Sequence, residues 1–163
     1  MKPAKKTIKL LKLKPLPGEG GYYRETYRSG EQIKAGRRSK RSLATAIYYL
    51  VTPESFSSLH RVKSDELFHF YAGQPVEMLL LYPGGRSRII LLGSDFERGQ
   101  RPQVLVPKNV WQGCRLIKGG RWALLGTTVF PGFEFEDYQQ GKKEPLIERF
   151  PSRKNMITAL CRK

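Results

Sequence analysis

Metal-binding and nucleophilic side chains are scarce in this sequence. Its 163 residues hold two histidines, His60 and His69, and two cysteines, Cys114 and Cys161. The cysteines lie far apart and fit no metal spacing, which argues against a disulfide framework or a zinc module and for a reducing compartment. Cys114 reads as a small core residue. There is no G-x-S-x-G elbow, and a nucleophilic serine or cysteine would have only His60 or His69 as its base. Walker and Rossmann glycine patterns are missing. No apolar run approaches the ~20 residues of a membrane-spanning helix. The basic N-terminus lacks the apolar core and small-residue cleavage pattern of a signal peptide. A cytoplasmic protein with no membrane partner is the expectation.

Acids are also few. Fourteen Asp and Glu stand against 30 Lys and Arg, a net charge of +16. Six lysines and no acid lie in Met1–Lys14, and "KAGRRSKR" (Lys34–Arg41) and "SRKNMITALCRK" form two further basic clusters. Such a surface attracts polyanions, and a nucleic-acid-binding module is one alternative reading. No helix-turn-helix, zinc-finger or RNP-type aromatic pattern accompanies the charge. Because it sits in terminal and loop segments, it reads first as a solvated, repulsive surface.

A chain of this length fits a single domain, 1–163, that buries roughly 70% of its unfolded surface. Residues 1–15 read as an N-terminal arm, and 151–163 as a basic C-terminal tail. "AKKTIKLLKLK" fits a short amphipathic helix with Ile8, Leu11 and Leu10 inward, ended by Pro15 and Pro17. Runs with strand chemistry follow: Gly21–Arg28, Ser42–Val51, Ser57–His60, Leu67–Ala72, Val76–Tyr82, Arg88–Leu92, Gln103–Val106, Trp111–Ile117 and Trp122–Val129. "YPGGRS" and "IKGGRW" have the glycines of hairpin turns. "PGFEFEDY" alternates like a half-buried strand, and a last helix fits Pro145–Phe150. Many short strands with few helices argue for an all-β sandwich or barrel.

The most informative stretch is "SSLHRVKSDELFHFYAGQPVEM" (Ser57–Met78). Its His60, Glu66 and Gly73 resemble the first motif of the cupin superfamily, G-x5-H-x-H-x3–4-E-x6-G. "VLVPKNVWQGCRL" stands where the second motif, G-x5-P-x-G-x2-H-x3-N, is expected, with Pro107 as its proline. Together with "EGGYYRETYRS" (Glu19–Ser29) and "PGFEFEDY" (Pro131–Tyr138), these ordered blocks resemble the fifth cupin family over nearly the whole chain. The resemblance implies a double-stranded β-helix, or jelly-roll, barrel with a pocket inside and a homodimer, to which the pattern above adds the short N-terminal and C-terminal helices.

The resemblance also implies where a metal would bind, and this sequence departs from that pattern. His60 and Glu66 match two ligands. The second histidine falls on Val62, and the histidine of the second motif on Gln112. The motif glycine falls on Asn109 and the motif asparagine on Leu116. An amide is a poor substitute for imidazole with divalent first-row metals, so neither a metal nor another cofactor is expected. His69 should face away from Glu66, because side chains alternate along a strand. A metal-dependent cupin oxygenase or isomerase is the alternative.

Without a metal, His60 and Glu66 remain as an acid/base pair, a binding pair, or a buried couple that satisfies itself. Arg24 is a candidate to clamp an anion in the pocket. Alternation would place it on one strand face with Tyr22, Thr26 and Arg28, with Glu134 and Glu136 as possible partners for the arginines. Phe68, Phe70, Trp111 and Gln112 are candidate pocket walls. The expected ligand is a small anionic or polyhydroxylated molecule, such as a sugar or nucleotide derivative. If the chain is an enzyme, an isomerase or epimerase is the expected chemistry, with Tyr71 or Tyr82 as a second acid/base.

Overall fold

The computed structural model describes residues 3–34 and 40–161. Most of the basic cluster Lys34–Arg41 therefore lies outside the described residues, as do both chain ends. In chain order the elements are α1 (Pro3–Leu10), β1 (Lys14–Pro15), β2 (Tyr22–Arg28), β3 (Gln32–Lys34), β4 (Lys40–Ser42), β5 (Thr45–Val51) and β6 (Ser57–Arg61). Then come β7 (Asp65–Gly73), β8 (Val76–Leu81), β9 (Ser87–Leu92), β10 (Gln103–Val106), β11 (Trp111–Leu116), β12 (Ala123–Phe130), β13 (Gln139–Gln140), α2 (Lys143–Arg149) and α3 (Lys154–Leu160). Among the described residues, no helix is long and apolar enough to cross a membrane.

Two antiparallel sheets build the expected jelly roll. One has the order β1-β2-β5-β12-β7-β10, the other β13-β6-β11-β8-β9, and β3 and β4 form a separate ribbon. Alternation decides what each strand gives the interior. Tyr49, Val51, Phe68, Val104, Val106, Ala123 and Leu125 from the larger sheet meet Val76, Met78, Leu80, Leu92, Cys114 and Leu116 from the smaller one in one apolar cluster. The continuous apolar run of β8 is explained by burial on both faces. Val76, Met78 and Leu80 face the sandwich interior, while Leu79 and Leu81 join Leu59, Leu146, Phe150, Met156, Ile157 and Leu160 in a second cluster under α2 and α3.

Several expectations are corrected. No proline ends α1. Lys12 adopts the left-handed conformation (φ 53°), with Leu13 N bonded to Ile8 O at 2.9 Å and Lys12 N to Lys9 O at 3.2 Å, a Schellman cap. This cap turns Leu13, not Leu10, inward; Leu10 is 67% exposed. "IKGGRW" is a turn but not a hairpin, because it carries the chain from β11 in the smaller sheet to β12 in the larger one. "PGFEFEDY" is an irregular strap ending in a 3-10 turn, Phe135–Asp137, with Phe135 largely exposed and Asp137 buried. The tail expected at 151–163 carries a further 3-10 turn and α3, which buries Met156, Ile157 and Leu160.

Asn109 also stands in the left-handed region, at φ 63°. Asparagine tolerates that conformation better than other non-glycine residues, which explains how it replaces the motif glycine. Asp65 supports the same turn, its Oδ1 accepting from Lys108 N at 2.7 Å.

The strap is tied down by arginines from two strands. Arg28 bonds Glu134 at 2.8 Å and Glu25 at 2.9 Å, all three partly exposed. Arg41 donates from both ends of its guanidinium to Asp137 and also reaches Glu136 at 2.6 Å. The exposed pairs contribute about 0–1 kcal/mol each. Asp137 is buried and Arg41 half-buried over it. Removing the cation strands a carboxylate whose one other basic neighbour among the described residues is Lys63 at 3.8 Å. Arg41→Ala is expected to cost about 3 kcal/mol and Arg28→Ala under about 1 kcal/mol, as read from urea unfolding. Equal losses would reject the assignment of the strap's anchor to Arg41.

Candidate functional site

The apolar cluster does not fill the whole sandwich. Toward one end lies a cavity of about 390 Å³, floored by Glu19, Glu66, Thr127 and Val129 and bordered by Tyr23, Phe133 and Tyr138, among others. Two β-bulges shape its surroundings, one in β2 at the border and one in β6 behind Glu19, where His60 and Gln112 stand outside the lining. In β6, Ser57 pairs with Cys114 and His60 with Gln112, so four residues of β6 span three of β11. Strict alternation would send Ser57 and His60 to opposite faces. The extra residue lets both turn inward. In β2 the register slips at Thr26, between Glu25 and Tyr27. This slip breaks the expected grouping of Arg24 with Arg28.

Both inward groups of β6 meet Glu19. Its Oε1 accepts from Ser57 Oγ at 2.8 Å, and its Oε2 lies 3.6 Å from His60 Nε2. The sequence reading passed over Glu19 as a site residue. Its signal is "PGEGG", a lone acid in a glycine loop: Gly18, Gly20 and Gly21 all have positive φ, and a side chain on Gly21 would collide with the Tyr49 ring. The loop is pinned by Ser58 N on Glu19 O at 3.0 Å, Gly21 N on Ser55 Oγ at 2.8 Å and the Tyr49 hydroxyl on Gly20 O at 2.9 Å.

Glu66, only 6% exposed, reaches from the larger sheet to the smaller, where the Gln112 amide donates to its Oε2. Burial first, and the charge of Glu19 second, hold the Glu66 carboxyl well above the usual carboxylate range. This favours the protonated form, whose second oxygen keeps a proton to donate. His60 is buried, its Nδ1 2.7 Å from Ser58 O, and its ring stacks on Tyr138 with centroids 5.1 Å apart. The structure thus brings His60, Glu66 and Gln112 into one neighbourhood but gives His60 and Glu66 different partners.

The remaining candidates separate. Arg24 borders the cavity, yet its guanidinium lies 5.4 Å from the Tyr48 ring. The ammonium of Lys14, which also borders the cavity, lies 5.3 Å from the Tyr23 ring; the sequence reading missed this cation, on a two-residue strand. Phe68 is buried in the apolar cluster and Phe70 packs against it, both outside the cavity lining. Trp111 packs on the second cluster and under Arg61, whose guanidinium is 4.6 Å from its ring. Tyr71 stacks on His69 and Tyr82 carries Arg86, so neither borders the cavity, whereas Tyr23 and Tyr138 do.

The four cupin ligand positions hold His60, Val62, Glu66 and Gln112. Val62 is apolar and buried, Glu66 is engaged by the Gln112 amide, and among the described residues no three His, Cys, Asp or Glu side chains converge. His69 does not supply a replacement: it bonds Thr128 and Gln103, each at 3.2 Å. This donor set does not fit a divalent first-row metal.

The comparisons agree with this architecture. Residues 5–140 match the family described as Cupin superfamily (DUF985). An uncharacterised protein of Saccharomyces cerevisiae, YML079W, is 29% identical over 143 residues, covering 80% of this chain and 71% of its own. Among solved structures, a hypothetical protein from Leishmania major is 32% identical with a TM-score of 0.89, covering 98% of this chain and 99% of that one. Protein SO0799 from Shewanella oneidensis is 36% identical with a TM-score of 0.87, covering 99% of each chain. Oxalate decarboxylase from Bacillus subtilis has a TM-score of 0.56 at 17% identity, covering 91% of this chain and 37% of that one, a likeness of fold alone.

Glu66 makes the stability depend on pH. Between the ordinary glutamate value of about 4.3 and the raised folded value, the native chain holds a proton that the unfolded chain has released. Stability therefore falls as pH rises through that window. Glu66→Gln removes this loss, so the variant's melting temperature is expected to gain on the wild type's as pH climbs. Parallel curves from acid to alkaline pH would contradict the raised carboxyl.

Proposed function

We propose that this chain, which belongs to the cupin superfamily (DUF985), binds a small molecule with an anionic group and several hydroxyls, of the sugar- or nucleotide-derivative class. The observation that carries the reading is the polarity gradient of the cavity. Glu66 is buried and Glu19 nearly so, whereas Lys14 at the border is exposed. Arg28, which also borders it, is already occupied by Glu25 and Glu134. Among the described residues, no carboxylate lies within ion-pair distance of Lys14 at the rim, so it is available to an anion, whereas the Arg24 guanidinium is turned to Tyr48. The inner acids and Thr127 offer donors and acceptors to hydroxyls. A cavity of about 390 Å³ falls within the range that small-molecule sites occupy. The reaction class these groups would serve is metal-independent isomerisation or epimerisation.

Thermal-shift measurements with glucose, fructose and ribose monophosphates against the neutral parent sugars test the ligand class. Stabilisation by at least one phosphate and by none of the parents is expected. Lys14→Gln should weaken that binding about tenfold, or roughly 1.4 kcal/mol. No shift with any phosphate, or an unchanged shift in the variant, would reject the reading.

We also propose that the chain forms a homodimer through the outer face of its six-stranded sheet. Tyr48, His69, Tyr71 and Leu105 lie on that face, and Tyr71 and Leu105 are each 51% exposed. In a chain of net charge +16, an aromatic and apolar face, with Arg24 drawn over the Tyr48 ring, is where two copies can bury apolar area with limited repulsion. Light scattering should give the mass of two chains for the wild type and of one for Leu105→Lys. A monomeric wild type would overturn this assembly.

A further inference from the structure

We propose that Glu19 is the group that takes a proton from carbon in the bound molecule, with His60 as its positioning partner; this rests on the ligand class proposed above. The argument is geometric. Glu19 borders the cavity, and its two oxygens are engaged from behind by Ser57 Oγ at 2.8 Å and His60 Nε2 at 3.6 Å. The bulge in β6 is what presents both groups to it. His60 in turn is fixed by its Nδ1 contact with Ser58 O and by stacking on Tyr138.

With Nδ1–H directed at a carbonyl, a neutral His60 ring would present its Nε2 lone pair to the Glu19 oxygen. A proton on either atom turns that repulsion into attraction. The other titratable groups that feel the Glu19 charge are Glu66, Tyr49 and Cys114. Burial holds the Tyr49 and Cys114 protons in place, since it pushes both groups up. Among the described residues, His60 is the one basic side chain within ion-pair distance of Glu19.

Glu66 completes the chemistry as the hydrogen donor. In a hydroxy-carbonyl sugar phosphate, a Glu19 oxygen takes the proton from the hydroxyl-bearing carbon next to the carbonyl. The C–H electron pair becomes the C=C bond of an enediol, while the carbonyl oxygen receives the Glu66 proton. The enediol then returns its other hydroxyl proton to the Glu66 carboxylate, and Glu19 returns its proton to the former carbonyl carbon. The carbonyl has moved by one carbon, both acids are restored and no oxidant or reductant is consumed. Gln112, bonded to Glu66 Oε2, holds that carboxyl in place through the cycle.

The test uses the full chain in heavy water with glucose, fructose and ribose monophosphates, following by proton NMR the loss of the C–H signal beside the carbonyl. Binding is measured in parallel by thermal shift. The expectation is that a phosphate that binds exchanges, and that Glu19→Gln slows exchange about a hundredfold while still binding. His60→Gln should displace the pH dependence of exchange, which a merely structural role would not do. If Glu19→Gln does not fold, Ser57→Ala, which removes one hydrogen bond to the same carboxylate, should slow exchange with binding retained. Binding without exchange by any phosphate would overturn the role of Glu19 and leave the ligand class standing, as would exchange at the wild-type rate in Glu19→Gln. A panel in which nothing binds overturns the ligand class and this inference with it.

Discussion

A carboxyl buried between two sheets must find a donor or give up its charge, and that constraint organises this molecule. Glu66 extends from one sheet toward Gln112 in the other. Both positions lie where the cupin pattern carries metal ligands. Here an amide–acid contact occupies the space between sheets, and a polar cavity persists in an otherwise apolar sandwich. An unmet polar group in such surroundings is costly. The Glu66–Gln112 bond therefore holds the sheets at a defined spacing while leaving one side of the acid to the cavity. Glu19 follows the same logic from the loop: its charge is tolerable because Ser57 and His60 face it.

The longer strands are legible in the sequence because alternation and glycine punctuation report burial directly. "VEMLLL" is readable as a strand even though it lacks alternation, and its second apolar face becomes explicable once α2 and α3 are seen to cover it. The bulges are not legible. Nothing in "SSLHR" marks an extra residue, yet that residue decides that Ser57 and His60 look the same way. The slip at Thr26 likewise divides two arginines that spacing would place together. Period-two reasoning fails at the positions that shape the site.

Other failures have a different cause. The strap Pro131–Tyr138 alternates like a strand, but paired cations from β2 and β4 hold its acids, and among the described residues its backbone joins no sheet ladder between β12 and β13. α3 is masked in sequence by basic neighbours, although Met156, Ile157 and Leu160 have helical spacing. Glu19 is hidden because a reading centred on metal ligands looks to strands, whereas this acid arrives on a glycine turn. Its position depends on contacts with β6, distant along the chain.

The double-sided burial of β8 ties distant parts of the molecule together. Met78 and Leu80 belong to the barrel interior, and Leu79 and Leu81 to the helical cover. Adjacent peptide units thus serve different clusters, so the strand cannot be withdrawn from one without disturbing the other. Loosening of the C-terminal helices is consequently felt on the opposite side of a single strand, in the apolar packing between the two sheets.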